Sequence, residues 1–340
     1  MPVCEELQRT RPEDVGHPRA TATVSTCDAD ADDAVPVEPW QVHKLRSDEV
    51  YLTGWHRTGP DAFRILARRP QEHPLYRVRS EFDPLLLCET VRQTFPLLCH
   101  AAYEVPPGHQ LTWGRFRYDL DDAAFAGVDR GSELELAVLC SELSYRRGHL
   151  AGLSLRAEVS WGGVRVAVAE TRFTVQSRAV YQRLRGGYAD AEAAMASAGP
   201  APAPVPCAGT GRTRPRDVVL APAAGGVRRL RVDPGHPVYF DHPVDHVPGA
   251  LLLEAVHQSA GRAVRTLECT FHRFVEFDAP CTIVTAPLDP EPGRARRDDD
   301  GSPAVERTRI TAVQGGQTRF TADLVHRVAP AREGSVRAAR

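Results

Sequence analysis

Glu254, His257 and Gln258 stand at i, i+3 and i+4 in an otherwise apolar run, Leu251-Leu252-Leu253-Glu254-Ala255-Val256-His257-Gln258. Wound as a helix, the run puts all three on one face. A carboxylate lodged among leucines is penalised by desolvation, which raises its pKa and suits it to act as a general base near neutral pH. The same polar trio interrupts a second apolar run as Glu89, Arg92 and Gln93, following Leu85-Leu86-Leu87-Cys88. The competing reading places both glutamates on the solvent edge of amphipathic helices. Recurrence of the whole trio argues against it, since duplicated surface residues drift apart.

Aligning Glu89 with Glu254 also aligns Gln93 with Gln258 and Pro84 with Gly249, a constant offset of 165 residues. A repeat this long marks a duplicated domain, not a solenoid. Each copy opens a helix. Asp83 is a good N-cap and Pro84 a good first helical residue, because the ring presets φ and its missing N–H has no intrahelical partner to lose. Pro248-Gly249 opens the second helix. The backbone N–H groups around Gly249 and Ala250 lie at the positive end of the helix dipole, where unpaired donors suit a developing oxyanion.

Around each helix the apolar period falls to two. Leu134, Leu136 and Val138, then Leu153, Leu155, Ala157 and Val159, then Val164, Val166 and Val168 alternate with polar neighbours, and Trp161-Gly162-Gly163 supplies a tight turn. In the second half Phe271 to Phe277, Cys281 to Ala286, Val305 to Val313 and Arg319 to Val325 read the same way, with Gly315-Gly316 as a hairpin turn. The expectation is a long helix followed by an antiparallel meander, occurring twice. Residues 1–38, with Asp28, Asp30, Asp32 and Asp33 clustered, are expected to be a disordered acidic tail. Residues 39–180 and 213–330 are then the two domains, 181–212 an Ala/Pro-rich linker containing Pro200-Ala201-Pro202-Ala203-Pro204, and 331–340 a second tail. The run Arg294 to Asp300 reads as a solvated hairpin insertion.

The phrases Phe240-Asp241-His242-Pro243-Val244-Asp245-His246-Val247-Pro248-Gly249 with Leu251-Leu252-Leu253-Glu254-Ala255, and Asp83-Pro84-Leu85-Leu86-Leu87 with Glu89-Thr90 and Arg92-Gln93, resemble the A-factor biosynthesis family of actinobacterial γ-butyrolactone synthases. Val42-His43-Lys44, Leu52-Thr53-Gly54-Trp55, Arg57-Thr58-Gly59, His73-Pro74-Leu75-Tyr76 and Val105-Pro106-Pro107-Gly108-His109-Gln110 support the match, which spans about residues 40 to 330. The resemblance implies an α+β tandem hot-dog fold, each half a long helix wrapped by an antiparallel sheet. It also implies transfer of a β-ketoacyl group from acyl carrier protein to dihydroxyacetone phosphate, without a cofactor, toward a γ-butyrolactone, butenolide or furan signal. One departure stands out: His257 occupies the place where the family's second helix carries an arginine. The histidine of hot-dog dehydratases is also missing, its ungapped equivalent being Phe240.

Under this resemblance Glu254 is the leading base, taking the proton of a hydroxyl that attacks the thioester, and Gln258 holds the acyl carbonyl or the alcohol. Glu89, Arg92 and Gln93 form the equivalent site of the first half, and the chain alone does not decide between them. His257 is the expected phosphate contact, with Arg262 as the alternative should His257 pack against the sheet. His242 and His246, spaced i, i+4 beside Asp241 and Asp245, suggest either a metal or a structural loop lining the cleft. Pro243 and Pro248 argue against a helix that would align both imidazoles, so no metal is expected. Gly209-Thr210-Gly211 lacks the third glycine of a nucleotide loop, and no Gly-X-Ser-X-Gly elbow supports a serine acyl-enzyme. A thioesterase of the same fold and a non-catalytic acyl-binding protein remain as alternatives.

Composition bounds the rest. A length of 340 residues allows two domains with cores of their own, and a net charge of -2 gives no pull toward nucleic acid. Lys44 is the one lysine, a bias toward arginine that speaks of base composition more than function. Eight cysteines without a Cys-X-X-Cys pair read as reduced thiols, and no apolar run approaches 18 residues, so a cytoplasmic protein off the membrane is expected.

Overall fold

The computed structural model describes residues 34–70, 72–76, 83–121, 124, 133–261, 264–288 and 305–327. Strands β1 (Val35–Pro36), β2 (Leu52–Arg57) and β3 (Ala62–Ala67) precede helix α1 (Pro84–Ala101). Strands β4 (Gln110–Leu120), β5 (Leu134–Arg146), β6 (His149–Trp161) and β7 (Val164–Gln176) complete the first half. Helices α2 (Arg178–Arg185) and α3 (Ala191–Ala196) lead to β8 (Leu220–Pro222), β9 (Arg228–Leu230), helix α4 (Gly249–Ala260), and β10 (Thr266–Phe271), β11 (Cys281–Pro287), β12 (Val305–Gln314) and β13 (Gln317–Arg327).

The strands form one sheet in the order β1-β2-β3-β5-β6-β7-β4-β10-β13-β12-β11-β9-β8. The halves are joined where β4 pairs antiparallel with β10, Phe116 opposite Cys269. Reading outward from that joint, β7, β6, β5 and β3 on one side match β13, β12, β11 and β9 on the other. This is the tandem hot-dog arrangement, a sheet curled around two helices.

Each helix is apolar on nearly every side because sheet surrounds it. In α1 every residue from Pro84 to Cys99 except Arg92 is buried. In α4 Leu251, Leu252 and Leu253 are all buried, each burial worth about 1.5–3 kcal/mol. The helix starts follow the sequence: Asp83 accepts from the N–H of Leu85 at 3.1 Å with Pro84 as first residue, and Pro248 precedes Gly249. The turns at Gly162-Gly163 and Gly315-Gly316 are left-handed at both glycines, as two-residue hairpins require.

Three expectations change. Val35 and Pro36 are not in a disordered tail; they form an edge strand on β2, a position that tolerates proline because no inward N–H is needed. Phe271 to Phe277 is not a strand, since β10 ends at Phe271 and the segment then leaves the sheet to brace α2, with Arg185 bonding Glu276 and resting on Phe274. The stretch expected as a linker is docked on the second half: Tyr181 and Arg185 both bind the Asp245 carboxylate. Arg294 to Asp300 and the terminal tail 331–340 lie outside the described residues.

Candidate active site

Helices α1 and α4 present Glu89 and Glu254 to one narrow cleft. The first half lines it with Tyr76, Leu85, Cys88, Glu89, Arg92 and Trp113, and the second with Tyr239, Ala250, Leu253 and Glu254. The two glutamates found in the sequence therefore belong to one site. The close approach of α4 depends on Gly249, where a Cβ would fall 2.9 Å from Trp113 Cε3 and 3.1 Å from Phe271 Cε1. Trp113 cannot easily yield, because its Nε1–H donates to Thr171 Oγ1 at 2.8 Å and its ring stacks on Phe271.

Around Glu89 the groups are cationic. Arg92 donates from Nε to Oε2 at 2.7 Å and from Nη2 to Oε1 at 2.8 Å, and Lys44 Nζ stands 3.1 Å from Oε1. Gln93 adds Nε2 to Oε1 at 3.0 Å. Oε1 thus takes three contacts and Oε2 one, which leaves Oε2 able to accept again. Burial works to raise the Glu89 pKa, but Arg92 and Lys44 outweigh it and hold the group well below the usual carboxylate range.

Around Glu254 the balance is reversed. Arg212, from the end of the stretch expected as a linker, grips it with Nε to Oε1 at 2.7 Å and Nη2 to Oε2 at 2.6 Å. Tyr239 Oη donates to Oε2 at 2.9 Å and Gln258 Nε2 to Oε1 at 2.5 Å, so both oxygens are doubly occupied. Arg212 also reaches across the halves to Asp83 Oδ2 and the Leu75 carbonyl, each at 3.0 Å. One arginine faces two carboxylates, all three buried.

The two clusters are copies. Gln93 Oε1 accepts from the Tyr51 N–H and its Nε2 donates to the Glu49 carbonyl; Gln258 does the same with Val219 and Asp217. Both glutamines use their amides to tie a glutamate to a neighbouring loop. His73 Nε2 meets Glu49 Oε1 and His236 Nε2 meets Asp217 Oδ1, while Nδ1 of each accepts backbone N–H groups of its own turn. Those turns, His73-Pro74-Leu75-Tyr76 and His236-Pro237-Val238-Tyr239, place Tyr76 and Tyr239 at the cleft. Burial pushes both phenols well above their ordinary pKa, so both stay protonated.

His257, in the slot of Arg92, faces the sheet, its Nε2 3.1 Å from Tyr118 Oη on β4. It does not line the cleft from which the expected phosphate contact would have to be made. Arg262 lies outside the described residues. His242 and His246 do not line the cleft either: each imidazole Nδ1 is tied to the preceding aspartate, at 2.5 and 2.7 Å. The aspartates are the anchors of that loop, Asp241 receiving the Leu45 N–H and Asp245 receiving Tyr181 and Arg185. Among the described residues no group of three or more His, Cys, Asp or Glu is placed to hold a metal. Gly249 and Ala250 open α4 ahead of its first bonds, the N–H groups of Leu251 and Leu252 to the Pro248 carbonyl, and Ala250 lines the cleft.

Sequence reasoning missed Lys44, Arg212, Tyr76 and Tyr239. Its signals were present: the His-Pro-X-Tyr turn is repeated, and Lys44 and Arg212 sit 168 residues apart, as do Glu49 and Asp217.

The A-factor biosynthesis hotdog domain matches this chain twice, over residues 25–177 and 193–330. The chain belongs to that family. Within the A-factor family, a 2-oxo-3-(phosphooxy)propyl 3-oxoalkanoate synthase of Streptomyces virginiae is 39% identical over 258 residues, 73% of this chain and 86% of that protein. A protein of the same name from Streptomyces coelicolor is 37% identical over 309 residues, 86% and 91% of the two chains. Among solved structures, a 12:0-ACP thioesterase from Umbellularia californica aligns over 80% of this chain and 100% of its own, with 10% identity and a TM-score of 0.44. Among the described residues no helix is long and apolar enough to cross a membrane.

Proposed function

We propose that this chain transfers a 3-oxoacyl group from an acyl carrier protein thioester to the primary hydroxyl of dihydroxyacetone phosphate. The product is the 2-oxo-3-(phosphooxy)propyl 3-oxoalkanoate ester, from which a γ-butyrolactone-type signal would be built. The work divides between the halves 39–180 and 213–330. The observation that carries this reading is the asymmetry of the cleft: Glu89 has an accepting position left on Oε2 and cations around it, while Glu254 is fully bonded.

In this reading the acceptor hydroxyl donates to Glu89 Oε2, the position that Tyr239 fills on Glu254 in the other half. The negative charge of the phosphorylated acceptor offsets Arg92 and Lys44 and restores basicity to Glu89, which takes the proton as the oxygen attacks the thioester carbon, and the N–H groups of Gly249 and Ala250 receive the oxyanion. Collapse of the tetrahedral intermediate breaks the C–S bond, and the carrier thiol leaves with a proton. Leu85, Leu253 and Trp113 offer apolar wall to the acyl chain. Cys88 also lines the cleft, but burial drives its thiol well above the ordinary pKa, so it stays protonated and a cysteine acyl-enzyme is disfavoured. Glu254, the base favoured by sequence, becomes a brace that locks Arg212.

Incubating the protein with a 3-oxoacyl carrier protein, with and without dihydroxyacetone phosphate, tests the reaction. Ester appearing only with the acceptor supports transfer. Free acid released equally in both arms would make the protein a thioesterase.

A further inference from the structure

Lys44 is the only lysine in the chain, and it stands, largely buried, behind the cleft wall with its Nζ against Glu89, which lines the cleft. Its counterpart in the other half is Arg212, which spends its guanidinium on Glu254, Asp83 and the Leu75 carbonyl. An arginine at such a site matches a carboxylate with a two-pronged fork; a lysine makes one contact and keeps the rest of its donors. Glu89 is the one carboxylate at ion-pair distance from Lys44 among the described residues, so two of its three N–H bonds are uncommitted.

We propose that Lys44 and Arg92 together form the subsite for the acceptor's phosphate, an inference that rests on the acyl-transfer reading above. Arg92 engages Glu89 and the Val42 carbonyl through Nε and Nη2, leaving the two donors of Nη1, and it lines the cleft with 22% of its side chain exposed. Lys44 and Arg92 set two positive charges against Glu89, which draws an anion to that side. Asp241 also feels Lys44, but its carboxylate is engaged by His242 and by the Leu45 N–H.

The loop that carries Lys44 is held in place. His43 adopts the left-handed conformation at φ 55°, and its Nε2 lies 2.9 Å from Nε2 of His100, whose Nδ1 is 2.7 Å from the Val105 carbonyl. Burial, followed by Arg92, drives the His43 pKa down to about 3, so it is neutral beside the two cations and adds no repulsion. The Lys44 N–H donates to the Pro39 carbonyl at 3.0 Å, which fixes the point from which its side chain reaches Glu89.

The test compares dihydroxyacetone phosphate with dihydroxyacetone, which has the same hydroxyl and no phosphate, in wild type, Lys44→Met and Arg92→Met. The ratio of kcat/KM for the phosphorylated acceptor over the plain one should fall on the order of ten- to a hundredfold in each variant, the scale of a charged hydrogen bond. Calorimetry with dihydroxyacetone phosphate alone should show the same loss of affinity. Binding without ester formation in wild type would leave the subsite standing and remove the acyl-transfer reading. Equal losses on both acceptors, or unchanged calorimetric affinity in Lys44→Met, would overturn the proposal.

Discussion

Lys44 and Arg212 hold equivalent places in the two halves, yet Lys44 touches its glutamate once, at 3.1 Å, and Arg212 grips its own twice, at 2.7 and 2.6 Å. One duplicated element has become a structural clamp and the other has stayed open. The difference separates what variants on the two sides should do.

Arg212→Met removes the arginine that grips buried Glu254. Breaking a buried ion pair from one side costs about 3–5 kcal/mol, because the remaining charge loses its counter-ion. Chemical denaturation should show a loss of that size, and a second change, Glu254→Gln, should recover part of it. A variant as stable as wild type would deny the clamp its structural role.

Gly249→Ala should reduce activity more than stability. The added methyl meets Trp113 Cε3 at 2.9 Å, and overpacking of this kind costs about 1–3 kcal/mol, with Trp113 displaced at the cleft wall. Tryptophan fluorescence together with turnover checks it: the expected outcome is a shifted emission with a folded but slow enzyme.

Acid should erase part of the protein's stability in a defined window. The folded-state pKa of Glu89 is lowered by Arg92 and Lys44 against the effect of burial, and that of Asp245 lies at about 2, where bonds from His246 and Arg185 outweigh burial. Groups whose pKa is depressed on folding contribute stability above the unfolded carboxylate pKa of about 4 and lose it as pH falls through the folded value. The stability gap between wild type and Glu89→Gln should therefore be constant from pH 7 to about 5 and shrink below about 4. Urea melts across that range measure it, and a gap that widens in acid would contradict the assignment.

The glutamates, their glutamine partners and the helix starts were legible because they obey local rules: an i, i+4 spacing, a proline after an aspartate, and one constant offset. The meander after each helix was legible from its alternation. What was not legible depended on pairing across distance. The β4–β10 joint leaves no mark in either strand, because a strand's alternation says which face is buried and not which neighbour it meets. Arg212 was hidden by its setting, a Pro-rich stretch that reads as linker until Tyr181 and Arg185 are seen docked on Asp245. His257 misled for a related reason. Its helical face was read correctly, but Tyr118 lies opposite it in the folded chain.

Glu89→Gln and Glu254→Gln, assayed side by side for ester formation at saturating acceptor, test the central claim most directly. Both changes keep shape and remove a charge. With Glu89 as general base, Glu89→Gln should lose on the order of a hundredfold or more in kcat, and Glu254→Gln, once its folding is verified, less than about tenfold. The reverse order, with Glu254→Gln crippled and Glu89→Gln near normal, would put the chemistry in the second half and contradict the assignment of Glu89 as the base.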